Sequence, residues 1–277
     1  MVIPPCSICD GSGRVYSYAA RESVFCICWA NRTSLLARDV AGIRRDYWDA
    51  TFESFEPRQE YPNQQAVLNF AKAYAADWET VKSEGRCLTI LGAKSSMGKS
   101  HLAVAICLDI MGRYWTQSTI DQDVCLFVNV ASWFLDWRLF LEKFPSPPKG
   151  SPLWDGYLSN PAYIAEKSQL GKRDDRMLTT ELLVLDDLSR FEVNEKRLER
   201  LYHVVDRRIS NGLPIIVTDN NSTWAQVSRK LGDDYGPPIT DRFIRSGETV
   251  IVELPMSKKG RKKSVSKTDL DGQAPGK

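Results

Sequence analysis

Long uncharged apolar runs are missing from this sequence. No stretch of 18 or more such residues occurs among its 277 positions, which excludes a membrane-spanning helix. Histidine is nearly absent. The two present, His101 and His203, have no partner at the spacing of a catalytic triad or a metal site, so both read as structural. An excess of one charge is lacking too: 37 basic and 35 acidic residues leave +2, which by itself says nothing about partners. The N-terminal stretch MVIPPCSICD has neither the basic nor the apolar region of a secretory signal, so a cytoplasmic location is expected. There is no internal repeat. With 43% hydrophobic and 26% charged residues, the composition is that of a soluble globular chain and excludes a disordered, collagenous or coiled-coil one. At roughly 150 residues per domain, the length holds one full domain and a small module.

What is present is unevenly placed. Of seven cysteines, Cys6, Cys9, Cys26 and Cys28 stand in the first 28 residues, while Cys87, Cys107 and Cys125 are single and expected to be buried and inert. An odd total without an export signal argues against a disulfide framework. Two close pairs, with a glycine-rich turn (GSG, 11–13) after the first, supply the four thiolates of a tetrahedral Zn²⁺ site. Such coordination is worth roughly 10–16 kcal/mol in small peptides, enough to fold a module without a core. An iron–sulfur cluster, a redox site and four unliganded thiols are the alternatives. At the other end, residues 256–277 are polar and basic (SKKGRKKSVS) and are expected to be disordered.

Between these ends, short β-rich runs alternate with helical patterns. Strands are expected at 87–91, 124–130, 182–185, 214–218 and 248–253, and helices at 61–84, 99–115, 132–144 and 194–210. Unbroken apolar strands between helices imply a buried parallel sheet with right-handed crossovers, hence an α/β fold. The proline-rich run at 144–152 opens a long connection reaching about Asp175, the kind usually functional or mobile or else a tolerated surface insertion. Trp133, Trp137, Phe140 and Phe144 share one helical face and read as core. Arg44 and Arg45 beside Tyr47 and Trp48 read either as a linker packed on the main domain or as a contact for single-stranded DNA.

The run LTILGAKSSMGKSHLA (88–103) carries the chemistry. A strand enters a turn with Gly98, Lys99 and Ser100 and leaves directly into a helix. Backbone N–H groups of a tight loop at a helix N-terminus cradle polyphosphate oxygens. Lys99 would reach the β- and γ-phosphates and the Ser100 hydroxyl would bind Mg²⁺. The expected nucleotide-contacting set is Gly92, Ser95, Ser96, Met97, Gly98, Lys99, Ser100 and His101. The pattern is irregular, because Ala93 stands where the first glycine of G-x-x-x-x-G-K-[ST] belongs and Gly92 is one residue early. A second element, ELLVLDDL (181–188), is an apolar strand ending in two acids. Asp186 would join the Mg²⁺ shell with Ser100, and Asp187 would orient and polarise the attacking water.

With TFESF (51–55), GKSHLAVAI (98–106), LLVLDDL (182–188), LPIIVTDN (213–220) and TDRF (240–243) in order, the chain resembles the DnaC/DnaI/IstB group of AAA+ ATPases. That group comprises replicative-helicase loaders and their transposition relatives. The resemblance spans about 43–255 and implies further roles. Asn220 matches the sensor-1 position near the γ-phosphate, and Arg242 the arginine finger that completes a neighbouring subunit's ATP site. The group's sensor-2 arginine has no clear counterpart, with Lys259 or Arg261 as substitutes. The implied organisation is a zinc-binding, helicase-contacting module and linker at 1–50, an AAA+ P-loop ATPase domain at 51–255 and the basic tail at 256–277. The implied activity is slow hydrolysis of ATP with Mg²⁺, stimulated by DNA or a partner. The expected partners are a hexameric replicative helicase, single-stranded DNA and further copies of the chain in an ATP-dependent oligomer, and no membrane. A transposition-type ATPase that binds DNA and recruits a transposase, and a nucleotide-binding adaptor that does not hydrolyse ATP, are the alternatives.

Overall fold

The computed structural model describes residues 14–17, 22–25, 38–114, 124–148 and 151–253. The cysteines Cys6, Cys9, Cys26 and Cys28, the residues Lys259 and Arg261 and the tail from 256 lie outside the described residues.

Strands β1 (Arg14–Ser17) and β2 (Glu22–Phe25) form an antiparallel pair in which Arg14 faces Phe25 and Ser17 faces Glu22. The remaining strands are β3 (Cys87–Leu91), β4 (Cys125–Asn129), β5 (Leu182–Asp186), β6 (Ile215–Asp219) and β7 (Gly247–Ile251). They form a five-stranded parallel sheet in the order β4-β5-β6-β3-β7. Helices α1 (Gln64–Ala76), α2 (Trp78–Glu84) and α3 (Lys99–Tyr114) cover one face. Helices α4 (Val130–Lys143), α5 (Trp154–Leu158), α6 (Pro161–Thr179), α7 (Glu195–Ser210), α8 (Trp224–Leu231) and α9 (Gly236–Ser246) complete the chain order. The expected α/β class with a parallel central sheet flanked by helices is the one found.

Side-chain alternation explains the three layers. Leu88, Ile90, Val184 and Ile216 point to the face packed by Val67, Trp78, Leu102 and Ile106. Their strand neighbours Leu91, Leu183, Leu185, Ile215 and Val217 point to the other, against Trp133, Leu201, Val205 and Phe243. A strand buried on both faces needs apolar residues at every position, and each such side chain contributes about 1.5–3 kcal/mol on burial. β3, β5 and β6 are buried throughout, whereas β7 is a largely exposed edge. Its sequence GETVI puts Glu248 and Thr249 on the exposed edge instead of running apolar.

Two expectations are corrected. The helix expected over 61–84 is two, because the chain turns at Asp77, which ends α1 and starts α2 while its carboxylate takes the Arg86 guanidinium. The connection from 144 to 175 is mostly helical. Asn160 caps α6 by accepting from the Ala162 and Tyr163 N–H groups, and Pro161 stands in its first turn, a strong start signal. The helix buries only Tyr163 and Met177, so its apolar periodicity is too sparse to read. Asp174 fastens it by accepting from the indole N–H of Trp133 at 2.8 Å and of Trp137 at 3.4 Å. The aromatic face of α4 is core, as expected: Trp133, Phe140 and Phe144 are buried and Trp137 packs on them.

Arg208 of α7 is completely buried and donates to the carbonyls of Met177, Thr180, Glu181 and Pro214. It ties the end of α6 to the starts of β5 and β6, the two strands that carry acids to the sheet's far edge. Burial pushes its guanidinium down to about 10.

Candidate nucleotide-binding site

The carboxyl ends of β3, β5 and β6 converge on one rim. In open parallel sheets this rim binds ligands where the strand order reverses, and here β3 sits between β6 and β7 although β4 follows it in sequence. From β3 the chain passes through the loop 92–98 directly into α3. Gly98 has φ +81°, and a Cβ there would stand 2.5 Å from Cε2 of Phe55. Only glycine fits that turn. Gly92 is tight as well: its N–H donates to the Asn221 carbonyl at 3.0 Å, and a Cβ would meet Met97 Sδ at 3.2 Å. Met97 itself is buried beneath the loop.

Lys99 is 2% exposed. Its ammonium donates to the carbonyls of Gly92 (3.1 Å) and Lys94 (2.6 Å) and to Asn220 Oδ1 (2.9 Å). Burial lowers its pKa, against the raising charges of Asp187, Asp219 and Asp186. Ser100 Oγ donates to Asp186 Oδ1 at 2.6 Å, and the same oxygen accepts from Thr218 Oγ1 at 2.7 Å. Asp186 Oδ2 accepts from Asn129 Nδ2 at 3.2 Å. Asp187 Oδ1 accepts from Asn220 Nδ2 at 2.6 Å, and its other oxygen lies 3.4 Å from Arg190 Nη1. Burial, then the Asp186 charge, raise the Asp187 carboxyl above its ordinary value, while Arg190 and Lys99 oppose the rise. At φ 56°, Asp187 is the one non-glycine residue with positive φ among those described. Such a conformation persists only where surroundings enforce it, and the Thr218 hydroxyl does so by accepting the Asp187 N–H at 3.1 Å.

The structure thus brings Lys99, Ser100, Asp186, Asp187 and Asn220 together from three strand ends. The donor set fits a magnesium nucleotide: a hydroxyl and a carboxylate, both hard oxygens, already touch at the place where one or two protein ligands would join phosphate oxygens on the ion. Among the described residues, no group of three or more His, Cys, Asp or Glu is placed to hold a metal on its own.

No family model matches the chain, and no curated protein matches it. Solved structures do. A crystal structure of the DnaC helicase loader is similar over 76% of this chain and 100% of that one, with TM-score 0.52 and 20% identity. A crystal structure of DnaI is similar over 76% of this chain and 95% of that one, with TM-score 0.53 and 18% identity. The chain has the fold of DnaC and DnaI. The likeness agrees with the resemblance read from the motifs.

Within this DnaC-like fold, two of the expected site residues have partners in their own chain. The His101 imidazole meets the Thr51 carbonyl at 2.8 Å and stands edge-on to Phe55. It fastens the TFESF lead-in to the start of α3. Arg242 lies on α9, where Nε donates to Asp206 Oδ1 at 2.8 Å and Nη2 to Tyr202 OH at 2.7 Å. Within its own chain it is therefore paired to α7.

Sequence reasoning missed the loop's supports. Arg58 donates to the Ser96 carbonyl at 2.6 Å and Gln64 to the Met97 carbonyl at 3.0 Å, so the segment before α1 and the first residue of α1 prop the loop from outside. Asn129 and Thr218 were missed as holders of Asp186. Both are polar residues closing apolar strands, which is a usable signal. Asn129 serves twice, since its Oδ1 also caps α4 by accepting from the Ser132 N–H at 3.1 Å.

Proposed function

We propose that this protein is an ATP-dependent loader of a hexameric replicative DNA helicase onto single-stranded DNA, assembling as an AAA+ oligomer. The observation that carries the reading is the continuous chain from Lys99 through Asn220 to Asp187, set beside the Ser100–Asp186 pair. It joins phosphate recognition to a carboxylate suited to orienting water, on a fold whose solved likenesses include a helicase loader matched over its entire length.

In this reading the loop N–H groups and Lys99 bind the β- and γ-phosphates, Lys99 exchanging its carbonyl partners for phosphate oxygens. Ser100 and Asp186 would hold Mg²⁺, which when bound neutralises charge on the bridging oxygens. Asp187 accepts a proton from the attacking water, and Asn220 fixes its carboxylate. Arg242 reaches a neighbouring subunit's nucleotide, which requires it to leave Asp206. A shared site makes hydrolysis depend on assembly, and ATP then favours the oligomer by its differential affinity for that state.

The cysteine pairs extend the reading to a zinc-stapled module that grips the helicase. The pairing of β1 with β2 supports it, because Arg14 and Phe25 sit opposite each other at the end from which the chain leads to Cys9 and Cys26. Zinc bound there would supply folding energy, not chemistry.

Turnover measured with and without single-stranded DNA, on the intact protein and on Lys99→Ala, tests the enzyme. ATP hydrolysis that rises with single-stranded DNA and vanishes in the variant is expected. Tight nucleotide binding with no hydrolysis would favour the adaptor, and strongly salt-dependent duplex binding with no helicase complex would favour the transposition-type ATPase.

A further inference from the structure

Beyond the phosphate loop lies a cavity of about 310 Å³ lined by Ser95, Ser189, Arg190, Asp219, Asn220 and Lys230. Ser95 and Asn220 already belong to the nucleotide site, so the cavity continues it. The one acid in the lining is spent elsewhere. Asp219 Oδ2 accepts from the Ser189 N–H at 2.7 Å and Oδ1 from the Asn221 N–H at 2.9 Å, and Asp219 is 1% exposed. Its charge is absorbed by backbone donors and does not pair with the cations. Lys230, in the last turn of α8, has no ion-pair partner among the described residues. Arg190 has one, but a loose one: its Nη1 lies 3.4 Å from Asp187 Oδ2 and its side chain is 69% exposed. A hydroxyl, a carboxamide, an unpaired ammonium and a weakly held guanidinium facing one space form a site for a multiply charged oxyanion. Charge-assisted bonds from such donors are about twice as strong as neutral ones.

We propose that this cavity receives the terminal phosphate of the bound nucleotide, held in the same subunit by Lys230 and Arg190, and that Arg190 exchanges Asp187 for that phosphate on binding. The proposal rests on the nucleotide-binding reading and adds two things to it. It assigns the discrimination of nucleoside triphosphate from diphosphate to residues on α8 and on the turn after β5. It also makes Arg190 a latch, since with no third phosphate the guanidinium occupies an oxygen of the carboxylate that must face the water. Only the triphosphate draws Arg190 away and frees Asp187, so the catalytic carboxylate and its substrate are coupled through one side chain. Both cations are exposed and outside the core, so their replacement leaves the fold intact.

Equilibrium binding of ADP and of a non-hydrolysable ATP analogue to the full chain and to Lys230→Ala, Arg190→Ala and Lys230→Arg tests this. The expected result is a loss of about tenfold in analogue affinity in each alanine variant, with ADP affinity changed by less than about twofold and Lys230→Arg near the unaltered protein. Equal losses for both nucleotides, or none, would overturn the assignment while leaving the nucleotide site standing. An unaltered protein that binds neither nucleotide would overturn the nucleotide reading, and this one with it.

Discussion

Across 121 residues of sequence, the Lys99 ammonium donates to Asn220 Oδ1 at 2.9 Å. The same carboxamide turns its N–H to Asp187 at 2.6 Å. In the proposed reading, a movement of Lys99 toward phosphate would reach the carboxylate through this single planar group. Replacing Asn220 with Ala is expected to lower turnover more than nucleotide affinity, because Lys99 keeps its two carbonyl partners.

Asp187 is strained in φ and carries a raised pKa, so the role proposed for it would come at a cost in stability. Asp187→Asn is expected to abolish turnover yet raise the melting temperature at pH 7, by the equivalent of roughly 0.5–2 kcal/mol. The sign follows from linkage. A carboxyl whose pKa is raised on folding holds its proton more tightly folded than unfolded, so its contribution is fully present below the unfolded value and is lost as pH rises through the folded one. A calorimetric scan of both proteins checks it.

The same shift governs the acid limb of kcat/KM, which reports the free protein. In the proposed mechanism Asp187 must be ionised to accept a proton, so kcat/KM for ATP is expected to fall at a pH above the ordinary aspartate value of 3.8. Arg190→Ala removes a charge that lowers this pKa in the free protein and is expected to move that limb to higher pH. A limb unmoved by the substitution would place the titrating group elsewhere.

Lys99→Ala and Arg242→Ala are each expected to be inactive, the first for want of a phosphate ligand and the second for want of the neighbour's finger. Mixed together, they are expected to regain turnover, because an oligomer of both contains sites with Lys99 from one subunit and Arg242 from the next. No recovery would confine Arg242 to its pairing with Asp206.

At Gly98, an alanine must adopt φ +81° and place Cβ against Phe55. The backbone cost is roughly 1–2 kcal/mol, and the contact forces the loop to shift. Gly98→Ala is expected to fold but to lose the rise in melting temperature that ADP gives the unaltered protein.

Asp174 carries the α6 attachment. Asp174→Ala leaves the indole N–H of buried Trp133 without its acceptor, at a cost of about 1–3 kcal/mol. Denaturant unfolding reads the loss, and turnover per folded molecule is expected to be unchanged.

Much of this was legible in the sequence because burial on both faces writes itself as an unbroken apolar run. LLVL at 182–185 and PIIVT at 214–218 mark β5 and β6 to within a residue, and with them the positions of Asp186 and Asn220. What the sequence hid were contacts between segments with no shared periodicity. Arg58 and Gln64 look like ordinary polar residues around the start of a helix, and only the fold lays them on the carbonyls of Ser96 and Met97. Arg190 and Lys230 lie 40 residues apart on exposed surfaces, and nothing local marks them as facing one cavity. Helix α6 escaped because a helix that buries two side chains in five turns leaves almost no hydrophobic pattern.

Native mass spectrometry of this protein mixed with the replicative helicase of its source, with and without ATP and a zinc chelator, tests the loader reading most directly. A complex approaching one copy per helicase subunit is expected, dependent on ATP for its full stoichiometry and weakened by the chelator. Absence of any complex while ATP is bound and the cysteines hold their metal would contradict it.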